Sequence, residues 1–320
     1  MTITPSELMR ARLALQKAVG RNLFDRARRI NLIDIALYEE NGQVYDVPAI
    51  RYHVDDFIPS MGLESMGRTP LQLEPIDGVP TMVVRGSYRP QQWWPWWPGT
   101  SSPTNPRLGR SDPLNGGVSI STGYSGSGTL GGIVRDRASG RPMLLSNWHV
   151  IVTYWGAPRG QPILQPGRDD GGSAADAIAE LERDAMAANL DAAVAFLNDR
   201  RRPSNAQLDI GPVTRTGKAT LGMIVQKSGR SSGRTYGRVT GIEGVLRMRY
   251  NWVDRQIRRV ITIESTGGEV SRPGDSGSWW LASGNGDAVG LHFAGSNYPE
   301  RGLALDMGAV LDALDVDIWR

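Results

Sequence analysis

Arg272-Pro273-Gly274-Asp275-Ser276-Gly277-Ser278 is the stretch from which the rest of the chain is read. A serine hydroxyl is a poor nucleophile at neutral pH and needs an adjacent base. It also needs backbone N–H donors aimed at the oxyanion that develops on attack. Gly274 offers an N–H with no side chain in the way, and Ser276 adds its own, so the pair forms the expected oxyanion hole. Taken alone, Gly, Asp and Ser are also the residues of ordinary turns. The base must come from three histidines, His53, His149 and His292. With no cysteine in 320 residues, thiolate nucleophiles, disulfides and cysteine-ligated metals are excluded.

Upstream lies Leu144-Leu145-Ser146-Asn147-Trp148-His149-Val150, a histidine at the end of an apolar strand. Between the two sits Asn189-Leu190-Asp191-Ala192-Ala193-Val194, an aspartate entering an apolar run. Asp176-Ala177-Ile178 offers a second carboxylate, but it follows His149 closely, leaving little chain for the intervening strands. Asp191 is therefore the favoured partner. The order His149, Asp191, Ser276 differs from that of subtilisin-type enzymes and of α/β-hydrolases. These three segments resemble those of chymotrypsin/trypsin-like serine proteases over residues from about 114 to 320. The resemblance implies a mainly β fold, a double β-barrel with the triad in the cleft between barrels. Ser276 would be the nucleophile, His149 the general base and Asp191 the residue that fixes the imidazole tautomer. Neither metal nor cofactor is implied.

Further segments resemble a bacterial trypsin-like subfamily related to the plant narrow-leaf proteins. They are Val225-Gln226-Lys227-Ser228-Gly229-Arg230, Asp112-Pro113-Leu114, Leu164-Gln165-Pro166-Gly167, Val310-Leu311-Asp312-Ala313-Leu314 and Ile76-Asp77-Gly78-Val79-Pro80. In trypsin-like zymogens the carboxylate at the place of Asp275 meets a new N-terminal amine after cleavage. Here either the linker is cut or local backbone satisfies Asp275, and the second is expected.

Specificity turns on Gly290-Leu291-His292-Phe293-Ala294-Gly295, which resembles glutamyl endopeptidases and viral 3C-type proteases. There the histidine meets a Glu or Gln side chain before the cut. Val270 and Ser271 are expected to line the pocket, with Val270 where trypsin has an aspartate. Phe293 to Gly295 should pair with the substrate as an added strand. A purely structural role for His292 stays open.

The remaining sequence sets the frame. Thr4-Pro5-Ser6-Glu7 is a capping box, with Leu8, Ala11, Leu15, Ala18 and Val19 on one helical face. Ile33–Tyr38, Val47–Val54 and Met82–Tyr88 read as strands, and Asn41-Gly42 is a type I′ hairpin signal. Residues 1–90 are thus expected as a small α+β module, in which His53 is a bystander. A Trp/Pro-rich linker is expected over 91–115, containing Trp93, Trp94, Trp96 and Trp97, and the protease domain over 116–320. The tryptophans suit packing within the chain, a homo-oligomer contact, or an external ligand or membrane surface. Arginines are many, but the net charge is only +3, so no nucleic-acid partner is expected. No apolar run has the length of a membrane span, and no secretory leader is read at the N-terminus, which suggests a cytoplasmic protein. The expected partner is a protein or peptide substrate. The rival reading is a catalytically silent protease-fold scaffold that binds a protein partner.

Overall fold

The computed structural model describes residues 3–22, 29–55, 74–90, 105–124, 126–297 and 300–320. The tryptophan run of the expected linker lies outside them. Helix α1 (Pro5–Asn22) opens with the capping box: Thr4 N–H donates to Glu7 Oε2 at 2.8 Å, and Glu7 N–H to Thr4 Oγ1 at 3.3 Å. Its apolar face buries Ala11, Ala14, Leu15 and Ala18 against β1 (Ile30–Glu40) and β2 (Gln43–Val54). The hairpin between these strands is tighter than the sequence suggests. Asn41 (φ 51°) and Gly42 (φ 78°) alone form the turn, and the strands run up to it. Strand β3 (Thr81–Arg85) pairs parallel to β2, and the two-residue β4 (Arg89–Pro90) follows.

The next strands are β5 (Leu114–Gly116), β6 (Ser119–Thr122), β7 (Gly128–Thr129), β8 (Gly132–Asp136) and β9 (Pro142–Ser146). After a short helix α2 (Trp148–Ile151) come β10 (Pro162–Leu164), β11 (Ala177–Asp184), β12 (Ala193–Leu197), β13 (Pro203–Gln207) and β14 (Gly211–Pro212). The last third holds β15 (Ile224–Gly229), β16 (Gly233–Tyr250), β17 (Val253–Ser265), β18 (Trp279–Ala282), β19 (Ala288–Asn297) and β20 (Glu300–Asp306). Helix α3 (Met307–Ala313) and β21 (Val316–Ile318) close the order.

Pairing sorts these into two large curved sheets and a small third one, β14-β13-β5. One runs β21-β8-β9-β12-β11-β10-β6-β7. The other runs β15-β18-β19-β20-β17-β16, and β15 pairs again with β16, so it closes into a barrel. Strand β16 is long enough to serve two neighbours. Its first half pairs with β15 through Arg238, while Gly241–Leu246 pair with β1. The N-terminal strands therefore continue the sheet of the second barrel. On β18 the period-two alternation sends neighbouring tryptophans into different cores. Trp279 belongs to the core that includes the first sheet and α3, and Trp280 to the core that includes α1 and Val225, Val239 and Ile263 of the barrel.

A buried ionic cluster fastens the N-terminal strands to the barrel. Asp34 of β1 accepts two bonds from Arg51 of β2 (2.9 and 2.7 Å) and one from Thr262 of β17 (2.7 Å). Both charges are almost wholly buried, so removing one strands the other. Asp34→Ala is expected to lower stability by about 3–5 kcal/mol in urea titration. Glu243→Gln breaks the partly exposed pair with Arg12 (2.5 Å) and should cost about 1 kcal/mol or less. Equal losses would show that the buried cluster is not a fastening point.

Candidate active site

The strand β9 ends at Ser146, and α2 starts where the chain turns with Asn147 at its N-cap. Asn147 Nδ2 donates to the Asp191 carbonyl at 2.7 Å, which ties the start of α2 to the loop before β12. Side chains then meet. His149 Nδ1 lies 2.5 Å from Asp191 Oδ2, and His149 backbone N–H donates to Oδ1 at 3.1 Å. Tyr250 OH, from the end of β16, donates to Oδ2 at 2.8 Å. The carboxylate thus accepts from the His149 backbone N–H, from its Nδ1 and from a phenol. Burial, then the Asp191 charge, pushes Tyr250 well above its ordinary pKa, so the phenol stays a donor. A carboxylate facing Nδ1 makes that nitrogen the proton carrier and leaves Nε2 as an acceptor. Nε2 is buried and has no hydrogen-bond partner among the described residues. The structure brings Asp191 to His149, whereas Asp176 closes a capping box with Ser173 (Ser173 Oγ to Asp176 Oδ2, 2.9 Å).

Two linked turns hold Ser276. Asp275 N–H donates to the Arg272 carbonyl at 3.0 Å, with Pro273 second and Gly274 third at φ +99°. That is the proline-then-glycine pattern of a type II turn. Ser278 N–H donates to the Asp275 carbonyl at 3.0 Å, and the third position is again a glycine, Gly277 at φ +101°. Bonds from both barrels pin the loop: Thr129 N–H to the Ser276 carbonyl (2.8 Å), Thr129 Oγ1 to the Gly274 carbonyl (2.8 Å), and Gly277 N–H to the His292 carbonyl (2.9 Å). The backbone N–H groups of Gly274 and Ser276 meet no acceptor among the described residues. Val150, next to His149, and the Ser276 carbonyl both abut Gly128, which places the helix and the serine loop side by side. One expected contact is not made. Ser276 Oγ donates to the Phe293 carbonyl at 3.2 Å and forms no hydrogen bond with His149. A hydroxyl turns on one torsion, and the carbonyl is the acceptor it takes here.

Asp275 lies at the junction of the turns, and its partner is a side chain the sequence reading left unassigned. Lys227 Nζ of β15 donates to Oδ2 at 2.8 Å, and both groups are fully buried. Ser232 Oγ (2.5 Å) and backbone N–H groups of Ser231 (2.9 Å), Ser232 (3.0 Å) and Arg272 (2.9 Å) complete the shell. Burial works against the carboxylate, but Lys227 and the hydrogen bonds outweigh it and hold its pKa below the usual range. Burial likewise pulls Lys227 downward. The close contact and full donor shell fix the pair as ionised. Lys227 is one of only three lysines in the chain, and its place as the one charged residue of β15 was the available signal.

His292 is buried on β19, where Trp280 Nε1–H donates to its Nδ1 at 3.3 Å. This leaves Nε2 to carry the proton. Burial, then the Lys227 charge, lowers its pKa to about 3, so the ring is a neutral donor. Val270 and His292 converge on Gly302 of β20: a methyl built there would lie 2.9 Å from Val270 Cγ1 and 3.3 Å from His292 Cε1. Ser271 is buried beside Val270. Phe293 lends its carbonyl to Ser276, and Gly295 pairs with Arg89 of β4. His53, expected as a bystander, joins a buried chain in which Tyr88 OH lies 2.6 Å from its Nδ1 and Asp34 Oδ1 3.2 Å from its Nε2.

No family model matches the chain, and no curated protein matches it. Solved structures do. The Nocardiopsis protease NAPase superposes with a TM-score of 0.50 at 17% identity, covering 65% of this chain and 99% of its own. A glutamic acid-specific serine protease described as using a histidine triad in substrate binding gives 0.48 at 20%, covering 64% and 100%. Cellulomonas bogoriensis chymotrypsin gives 0.48 at 16%, covering 64% and 98%. The fold is therefore the double β-barrel of chymotrypsin-like serine proteases. At these identities the likeness is one of fold.

Two buried neutral histidines make stability depend on pH. His53 is lowered to about 4 by burial and His292 to about 3, against 6.5 for an ordinary histidine. Below pH 6.5 the unfolded chain binds protons that the folded chain refuses, so stability falls as pH drops toward these values. The loss between pH 7 and 5 is about 2 kcal/mol per histidine. The urea midpoint should fall over that interval, and His292→Gln should roughly halve the slope. A flat midpoint would mean that the two rings are not held neutral.

Proposed function

We propose that the chain is a serine endopeptidase working through an acyl-enzyme. The observation that carries this is the His149–Asp191 contact, which leaves a buried acceptor nitrogen beside the serine loop. As Ser276 Oγ attacks the substrate carbonyl, its proton passes to His149 Nε2. Asp191 stabilises the resulting imidazolium. The oxyanion is received by the N–H groups of Gly274 and Ser276, which meet no acceptor among the described residues. The proton then moves to the leaving amine, and water repeats the sequence on the acyl-enzyme. Because Lys227 supplies the counter-charge to Asp275, the turn geometry needs no cleavage-generated amine.

The finer reading is a preference for Glu or Gln before the cut. His292 presents a neutral N–H donor near Val270, and a site built around such a donor favours a side chain that accepts from it. An acceptor-bearing side chain fits that pocket. The affinity with the bacterial subfamily related to plant narrow-leaf proteins rests on sequence segments alone. One observation favours the second reading, a silent scaffold: the Ser276 hydroxyl is spent on the Phe293 carbonyl. A substrate strand on β19 would compete for that carbonyl and free the hydroxyl.

Ser276→Ala is expected to abolish covalent labelling by a fluorophosphonate probe, and labelling that survives it removes the assignment. A peptide library should show cleavage after Glu or Gln, erased by His292→Ala. Cleavage after Arg that ignores this substitution overturns the preference. Tyr250→Phe removes one donor from Asp191, so kcat should drop about tenfold or more with KM unchanged. An unchanged kcat would show that the phenol does not position the carboxylate.

A further inference from the structure

The barrel leaves part of β19 uncovered. Strand β18 pairs with it only from Ala288 to Leu291, and beyond His292 that side of the strand has no barrel strand beside it among the described residues. This is the edge on which an extended peptide would lie under the proposed function. The chain lays its own residues there: β4 runs antiparallel to β19, with Arg89 opposite Gly295 and Pro90 opposite Ala294. Proline has no N–H, so the pair that exchanges hydrogen bonds in both directions is Arg89 with Gly295. The direction also matters. From Arg89 to Pro90 the partner steps from Gly295 to Ala294, toward Phe293, whose carbonyl holds the Ser276 hydroxyl. β4 thus approaches Ser276 along the course of a bound substrate strand.

Its hold is local and light. The Arg89 side chain is exposed, and two residues make a strand of low intrinsic stability. What fixes β4 is Tyr88, which docks on His53 at 2.6 Å. His53 rests in turn on Asp34, the residue that fastens β1 to the barrel. Asp34 accepts a hydrogen bond from Nε2–H, so Nδ1 accepts the one from the Tyr88 hydroxyl.

We propose that β4 is an intramolecular occupant of the peptide-binding edge, so that an extended peptide binds only when Arg89 and Pro90 let go. This rests on β19 being the substrate edge and names a competitor built into the chain. A fluorescein-labelled amide of the sequence Gly-Ser-Tyr-Arg-Pro, residues 86–90, serves as the probe. Its anisotropy is titrated with full chain carrying Ser276→Ala, alone and with Arg89→Pro, which deletes the N–H paired with Gly295. The expected result is binding at least tenfold tighter to Arg89→Pro, the gain when an occupant filling about 90% of sites is released. Tyr88→Phe, which leaves the backbone intact, should give at least a threefold gain and carries the test if Arg89→Pro fails to fold. Equal affinities within twofold, or no binding to any of the proteins, overturn the proposal. None of these readouts needs catalysis. A chain that never labels with fluorophosphonate would thus lose the protease reading and still show or lack the occupied edge.

Discussion

A carboxylate buried without a counter-charge is costly, and Asp275 is buried at the joint between two tight turns. Lys227 and four other donors surround it, so the loop that presents Ser276 cannot shift without breaking a complete hydrogen-bond shell. The positive φ angles of Gly274 and Gly277 let both turns close around that anchor. Thr129 then joins the loop to the first sheet, and His292 joins it to β19. The backbone donors expected to meet an oxyanion are consequences of this ion pair, since their direction is set by the turns it holds.

Strand β16 has a comparable reach. It closes the barrel against β15, carries β1 along its second half and ends in Tyr250, whose hydroxyl meets Asp191. Trp155 and Asn251 lock that end to the segment after α2 (Trp155 Nε1 to the Tyr250 carbonyl, 3.4 Å; Asn251 Nδ2 to the Thr153 carbonyl, 2.5 Å). One strand thereby connects the N-terminal segment, the second barrel and the carboxylate that orients His149.

What could be read from sequence was local. Gly274 and Ser276 sit in a turn whose residue types announce it, and His149 and Asp191 each adjoin an apolar strand with a recognisable edge. Asn41-Gly42 declared its hairpin because both residues accept positive φ. Lys227 and Tyr250 were missed because their partners are set by register across the barrel, which no short window contains. The same holds for β4, two residues with no periodicity of their own, placed by an edge that β18 leaves open. His53 looked idle because Tyr88 and Asp34 reach it from different strands. The rotation of Ser276 toward Phe293 belongs to a single torsion and leaves no trace in residue type.

Strand β21 leaves the second barrel through α3 and pairs with β8, where Val316 meets Asp136 and Ile318 meets Val134. Arg137 reinforces the seam at Asp312 and Asp317, both 3.0 Å away. The sheet of the first half is therefore completed by residues that a ribosome delivers only after the whole second barrel. Until then β8 presents unpaired N–H and C=O groups along a buried apolar strand, an open template for another chain.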